Sequence, residues 1–171
     1  GDTIRSINGE PICDMIDFRF LEAAEALTLE AVCDGEEVEF QLEKDIYEPL
    51  GLTFATSLMD EQRTCKNKCV FCFVDQLPER VRPSLIVKDD DWRLSFIMGN
   101  YVTLTNVSDA ELERIIKRRV SPLYISVHAW DAQTRVSMLK NPAAQKLPRQ
   151  LKKLADAGIT FHCQIVLCPG I

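Results

Sequence analysis

Three cysteines lie within eight residues of one another, and their spacing restricts what the surrounding chain can form. Cys65, Cys69 and Cys72 are separated by three and two residues, and the aromatic Phe71 directly precedes the last of them. Three thiolates on one loop can bind one cubane iron–sulfur cluster, which has four irons, so one iron stays open to another ligand. Because electron-transfer clusters commonly use four cysteines, the missing fourth ligand favours a catalytic cluster.

Other uses of these cysteines fit the sequence less well. A structural zinc ion takes four ligands, usually in two separated pairs, and the remote candidates for a fourth ligand are His128, His162, Cys163 and Cys168. A disulfide framework is disfavoured because seven cysteines is an odd number and 171 residues is long for a disulfide-stapled domain. The other four cysteines stand in apolar or strand-like runs, which predicts that they pack as small hydrophobic residues: Cys13, Cys33, Cys163 and Cys168.

The composition disfavours two broad classes of partner. The net charge is −6 and the pI is about 5.0, and the basic residues are scattered, so we expect no general nucleic-acid binding. No apolar run is long enough for a membrane span, and the sequence does not begin with a signal-peptide pattern. We therefore expect no membrane partner and a cytoplasmic protein, since a reducing compartment also suits an oxygen-sensitive cluster.

Residues 1–45 have the pattern of a small β-rich module. Ile4 and Ile7 alternate with polar residues before Asn8-Gly9, which is typical of a hairpin turn, and Asp34-Gly35 indicates a second turn. The predicted elements are a helix from about Asp14 to Ala26 and strands at Leu27–Cys33 and Glu37–Leu42. The chain is therefore expected to begin inside a sheet.

From residue 46 onward, strand-like and helix-like segments alternate, as in α/β proteins. Strands are predicted at Leu52–Leu58, Leu94–Met98, Leu123–Val127 and Phe161–Leu167. Helices are predicted after Ser108, which forms a capping-box pattern with Glu111, after Asp131, and from Pro148 to Ala157. Right-handed crossovers would make the strands parallel in one sheet or partial barrel, with the cysteine loop on the rim at their C-terminal ends. The acidic run Asp89–Asp91 is predicted to be a solvated loop.

Two sequence segments resemble a known family. The strings CKNKCVFCFVDQLP and RLSFIMGNYVTLTN are similar to radical S-adenosylmethionine (radical SAM) enzymes, and GDTIRSING resembles the C-terminal part of a bacterial PDZ-like domain. Their combination resembles iron–sulfur oxidoreductases related to nitrogenase-cofactor and molybdopterin biosynthesis enzymes. The resemblance implies an α/β fold: a truncated PDZ-like module at residues 1–45, then about four βα units of a six-unit partial radical SAM barrel at residues 46–171.

The resemblance also implies cofactors and partners. Cys65, Cys69 and Cys72 would bind a 4Fe-4S cluster, whose open iron is chelated by the amino and carboxylate groups of S-adenosylmethionine. An electron from the cluster would cleave this cofactor and start radical chemistry on an unknown substrate. An electron donor such as ferredoxin or flavodoxin is implied, as is a protein or peptide partner for the PDZ-like module.

Individual roles follow from the positions that match the family. Phe71 matches the aromatic residue that flanks the adenine. Gly99 and Asn100 stand where many members have Gly-Gly-Glu-Pro, which holds the methionine amine; an amide lacks the full charge of glutamate, so the contact is expected to be weaker.

Three further positions are expected near the ends of strands. Ser126 is a candidate for the methionine carboxylate, and Gln164 for the cofactor ribose. His128 is the catalytic candidate, as a proton carrier or a substrate contact. An alternative stays open, in which the chain is an iron–sulfur electron-transfer or scaffold protein whose fourth ligand is His128, Cys163 or Cys168.

Overall fold

A computed structural model describes residues 1–171, which form two compact units, Gly1–Glu61 and Gln62–Ile171. The boundary between the units lies 16 residues after the one that the sequence pattern suggested, at residues 45 and 46. No helix combines the length and the apolar character that crossing a membrane requires.

The first unit contains a four-stranded antiparallel sheet. Its strands are β1 (Thr3–Ile7), β2 (Glu10–Pro11), β3 (Ala26–Cys33) and β4 (Glu36–Glu43), in the order β2-β1-β3-β4. Asn8 and Gly9 join β1 to β2, and Asp34 and Gly35 join β3 to β4, all four with positive φ. Both predicted hairpin turns are confirmed, because these residue types tolerate the left-handed backbone that such turns need.

One helix, α1 (Met15–Glu22), packs against this sheet. The Asp14 carboxylate caps it by accepting a hydrogen bond from Ile16 N at 2.9 Å. Phe18 lies in a core with Ile7, Leu27 and Leu29. The helix is shorter than predicted, because Ala26 already belongs to β3.

The predicted strand at Leu52–Leu58 is wrong, since this segment has no regular secondary structure. Its apolar side chains cover the core of the first unit instead: Leu58 is buried, and the ring of Phe54 lies edge-on to that of Phe18 at 4.8 Å. A short apolar run indicates burial without determining the backbone conformation.

The second unit alternates helices with short parallel strands. Its elements are α2 (Trp92–Met98), α3 (Asp109–Lys117), β5 (Leu123–Ser126), α4 (Ala132–Leu139), α5 (Leu147–Asp156) and β6 (Phe161–Gln164), with 3-10 turns at Pro83–Leu85 and Pro142–Lys146. β5 pairs with β6 in parallel, and on its other side Ser126 N donates to Val102 O at 2.8 Å in a parallel bridge. The fully buried core includes Leu104, Leu112, Ile115, Leu123, Ile125, Leu139, Leu147 and Leu154.

The predicted strand at Leu94–Met98 is also wrong, because these residues form helix α2. The Asp91 carboxylate caps its start by accepting from Arg93 N at 3.0 Å, and Gly99, with φ of 78°, ends it. The third parallel segment therefore lies at Val102. The last strand also ends earlier than predicted, at Gln164.

Capping signals located the other helices correctly. Ser108 and Glu111 form the reciprocal capping box at the start of α3, and Asp131 Oδ1 accepts from Thr134 N at 2.8 Å at the start of α4. Gly158, with φ of 76°, follows α5. The α/β class is confirmed, whereas the partial barrel and the PDZ-like module stay predictions.

Candidate active site

A cavity of about 470 Å³ opens on the second unit, and the nine residues that the sequence suggested as cluster ligands, cofactor contacts or catalytic group line it. The walls come from the cysteine loop, the end of α2 and the ends of β5 and β6. The nine predicted residues are Cys65, Phe71, Cys69, Cys72, Gly99, Asn100, Ser126, His128 and Gln164. Positions up to 99 residues apart in the chain thus share one wall.

The cysteine loop is irregular, but backbone hydrogen bonds hold it at both ends. Cys65 N donates to Lys88 O at 2.7 Å, and Thr64 forms an antiparallel bridge with Asp89. Lys68 N and Val70 N donate to carbonyls at the end of α4, at 3.0 and 2.9 Å. Although the predicted strand before the loop is absent, the loop is therefore anchored on two sides.

The three thiols lie close enough to influence one another. Burial, together with the nearby Cys65 and Cys72 thiols, raises the pKa of Cys69 to about 11, and Lys88 opposes this effect. Burial also raises the pKa of Cys65, whereas hydrogen bonds from Asn67 oppose the increase. All three cysteines are unpaired by disulfides and half-buried.

Asn67, between the first two cysteines, was not predicted to have a role, yet it is only 2% exposed. Its Nδ2 donates to Cys65 Sγ at 3.3 Å and to Thr103 Oγ1 at 2.9 Å. Its Oδ1 accepts from Asn141 Nδ2 at 2.7 Å and from Thr105 Oγ1 at 3.1 Å. The Asn67 amide is therefore fixed with its N–H group directed at a cysteine sulfur.

The acidic run is buried, so its prediction as a solvated loop is wrong. Asp90 is 1% exposed and accepts from both N and Oγ1 of Thr103 at 2.6 Å. Burial raises the pKa of Asp90 although these hydrogen bonds oppose it. Asp91 forms a fully buried ion pair with Arg93, 2.6 Å between Oδ2 and Nη2. Asp89 is half-buried and lines the cavity.

Gly99 and Asn100 form the turn after α2. Gly99 N donates to Ser95 O at 3.0 Å, and its positive φ accounts for glycine at the end of a helix. Asn100 Nδ2 donates to Asp89 Oδ2 at 2.9 Å. The amide that the sequence suggested as a direct cofactor contact therefore holds a neighbouring carboxylate.

Ser126 and Gln164 are partners in the parallel register of β5 and β6, so both side chains reach the same wall. Ser126 Oγ lies 3.5 Å from Gln164 Oε1, at the long limit for a hydrogen bond. The ends of two adjacent strands thus supply two polar groups to the cavity.

His128 follows β5 with a φ of 63° and is 8% exposed. Its Nδ1 accepts from Val166 N at 3.2 Å, and its ring packs on Phe71 with 4.5 Å between the centroids. Burial, assisted by the charge of Arg135, lowers the pKa of His128 to about 4. At neutral pH the imidazole is therefore uncharged with its proton on Nε2, an arrangement that suits a hydrogen-bond donor better than a base.

Comparison with family models identifies the family of the chain. The radical SAM-like domain matches residues 44–171, which is most of the chain. The chain belongs to the radical SAM-like family. Searches of the curated proteins and of the solved structures return no match.

The cavity of this radical SAM-like chain offers three cysteine thiols, the donors that an iron–sulfur cluster takes. No three His, Cys, Asp or Glu side chains are arranged to hold one ion. In a cubane cluster each cysteine binds a different iron. The three sulfurs therefore lie around the cluster and do not converge on one metal ion. Three thiols on the wall of one cavity suit that requirement.

The candidates for a fourth cluster ligand differ in their positions relative to the cavity. His128 lines the cavity, whereas Cys163 is exposed and Cys168 packs beside α4, and neither lines it.

The prediction that the remaining cysteines pack in the core is wrong for Cys13 and Cys163, both of which are exposed.

A buried arginine, to which the sequence analysis assigned no role, donates hydrogen bonds to backbone carbonyls near the strand ends. Arg135 on α4 is 1% exposed and donates four hydrogen bonds of 2.8–2.9 Å to backbone carbonyls. The acceptors are the carbonyls of Thr103, Ser126, Val127 and Ala144. Burial lowers the pKa of Arg135 to about 10, so the group stays protonated at neutral pH.

Proposed function

We propose that this chain is a radical SAM enzyme that binds a 4Fe-4S cluster through Cys65, Cys69 and Cys72 and binds S-adenosylmethionine in the adjoining cavity. When bound and reduced, the cluster would supply the electron that splits S-adenosylmethionine into methionine and a 5′-deoxyadenosyl radical for an unknown substrate. One observation carries the proposal: the three thiols and all six suggested cofactor or substrate contacts line the same cavity.

The side chains support distinct tasks in this proposal. Phe71 offers an aromatic face beside the cluster loop, in contact with the ring of His128. Ser126 and Gln164 offer a hydroxyl and an amide from adjacent strands. His128, neutral at pH 7, can donate one hydrogen bond from Nε2 and would orient a bound group.

The first unit has a proposed role of its own. Four antiparallel strands and one helix are compatible with the C-terminal part of a PDZ-like module, and we propose a protein or peptide partner for it. An electron donor such as ferredoxin or flavodoxin and a cytoplasmic, reducing location would complete the proposed activity.

The test is anaerobic. The full chain is reconstituted with iron and sulfide, reduced with dithionite and mixed with S-adenosylmethionine, and 5′-deoxyadenosine is quantified by chromatography. A Cys72→Ser variant is the negative control, and Cys13→Ser, at an exposed cysteine of the first unit, is the matched positive control.

We expect 5′-deoxyadenosine from the wild type and from Cys13→Ser, and a changed paramagnetic spectrum of the reduced cluster when the cofactor is added. An intact cluster with no product above the Cys72→Ser level and no spectral change would favour the electron-transfer or scaffold alternative.

A further inference from the structure

The charged groups on the cavity wall are few and adjacent. Lys88 is the one ammonium group on the wall, and Asp89 is the one carboxylate. The Lys88 ammonium already has partners within the chain, because Nζ donates to Asp75 Oδ2 at 2.8 Å and to Asn67 O at 3.0 Å. Asp89 forms no ion pair; its partner is the uncharged amide of Asn100, at 2.9 Å.

The backbone fixes Asp89 next to the cluster loop. The bridge between Thr64 and Asp89 is flanked by hydrogen bonds from Cys65 N to Lys88 O and from Asp90 N to Arg63 O, at 2.7 and 3.2 Å. Asp89 is therefore paired with the residue directly before the first cysteine. Asn100, two residues after the end of α2, donates a hydrogen bond to the Asp89 carboxylate.

A half-buried carboxylate that faces a cavity without a cationic partner is suited to an ammonium group, because charge-assisted hydrogen bonds are the stronger kind. S-Adenosylmethionine carries one on its methionine moiety. We propose that Asp89 binds the α-amino group of S-adenosylmethionine and that Asn100 is the positioning residue that orients the Asp89 carboxylate. This inference rests on the proposed function, and it replaces the direct role that the sequence suggested for Asn100.

The test measures binding, independently of turnover. The affinity of the reconstituted, oxidised full chain for S-adenosylmethionine is measured by calorimetry, after iron and sulfide content and the visible spectrum have confirmed the cluster. 5′-Methylthioadenosine, which lacks the amino-acid group, serves as the matched ligand. Asp89→Asn removes the charge and keeps the shape, and Asp156→Asn removes an exposed carboxylate on α5 as a control.

We expect Asp89→Asn to weaken S-adenosylmethionine binding roughly ten- to hundredfold, the usual effect of losing a hydrogen bond to a charged group. Binding of 5′-methylthioadenosine should stay within about threefold, and Asp156→Asn should match the wild type for both ligands. Asp89→Glu keeps the charge and should lose less affinity than Asp89→Asn. If Asp89→Asn does not retain the cluster, the same comparison is made with Asp89→Ser.

A double-mutant cycle tests the positioning role of Asn100. Asn100→Ala should weaken S-adenosylmethionine binding less than Asp89→Asn, and adding it to Asp89→Asn should cause no further loss, because Asn100 acts through that carboxylate. If the double variant instead loses affinity by the product of the two single-variant factors, the positioning role of Asn100 is contradicted.

The outcomes separate the two proposals. Wild-type chain with an intact cluster that does not bind S-adenosylmethionine would overturn the proposed function and this inference with it. Normal wild-type binding with unchanged affinity in a cluster-containing Asp89→Asn or Asp89→Ser variant would overturn the assignment of Asp89 alone. Equal losses of S-adenosylmethionine affinity in Asp89→Asn and Asp89→Glu would also contradict a charge interaction.

Discussion

The amide nitrogen of Asn67 lies 3.3 Å from the sulfur of Cys65 and also donates to Thr103 Oγ1. The amide oxygen accepts from Thr105 and Asn141. Hydrogen bonds to cluster sulfurs are one of the means by which proteins set the reduction potential of an iron–sulfur cluster, because they stabilise the more negative, reduced state. The structure thus contains a donor fixed beside one of the three proposed ligands.

Replacing Asn67 with alanine should make the reduction potential of the cluster more negative. We expect a shift of about 60 mV, which is a tenfold change in the equilibrium constant of a one-electron couple. An anaerobic redox titration followed by the paramagnetic signal measures it. Asn106→Ala is the control, since the Asn106 amide donates to Asp90 O at 2.9 Å and to no sulfur. Equal potentials in the wild type and Asn67→Ala would assign Asn67 to loop stability alone.

Serine substitutions should separate cluster ligands from other cysteines. Cys65→Ser, Cys69→Ser and Cys72→Ser should each lose normal cluster incorporation, whereas the same change at the exposed Cys13 or Cys163 should not. Iron and sulfide analysis after anaerobic reconstitution measures this. Stoichiometric zinc without iron or sulfide in the purified wild type would contradict the cluster assignment.

His128 should make stability depend on pH in the mildly acidic range. Its pKa is about 4 in the folded chain and about 6.5 when exposed, so between these values the unfolded chain binds a proton that the folded chain does not. Stability should therefore fall as the pH decreases from 6.5 to 4, by up to roughly 3 kcal/mol.

Urea unfolding at a series of pH values tests this dependence. His128→Gln keeps an acceptor for Val166 N but cannot take up a proton. The decrease of the unfolding free energy that His128 causes between pH 6.5 and 4 should therefore disappear in this variant. His162→Gln, at the exposed second histidine, should retain it. The same pH profile in the wild type and His128→Gln would show that His128 does not resist protonation in the folded chain.

Arg135 should contribute strongly to the stability of the second unit. Arg135→Met removes the guanidinium donor from four buried carbonyl groups, of which those of Val127 and Ala144 keep a backbone donor. The change should therefore cost roughly 2–5 kcal/mol in the free energy of unfolding. Arg149→Met is the control, because its ion pair with Asp109 is exposed and should contribute about 1 kcal/mol or less. Similar losses from both changes in denaturant unfolding would mean that the buried hydrogen bonds have little net effect.

Local sequence determined the features that depend on residues only a few positions apart. The two hairpin turns and the capping residues Ser108 and Asp131 were predicted correctly, because each depends on backbone conformation or hydrogen bonds within one turn of chain. Ser126 ends β5 and His128 follows it, as the strand pattern predicted, whereas their roles stay predictions.

Tertiary structure decided the features that need distant partners. The Asp91 cap of the helix that contains Leu94–Met98 is local, but the helix is joined to a distant strand, because Ser95 Oγ accepts from Tyr124 N at 2.8 Å on β5, 29 residues away. Asn67 is buried because Asn141, 74 residues away, holds its amide. Hydrophobicity and residue type indicate that a group will be buried or exposed on average, but burying a polar group requires a specific partner. The sequence by itself therefore determined the cysteine motif and the family, whereas only the fold buried Asn67 and Arg135 and placed Asp89 beside the cysteine loop.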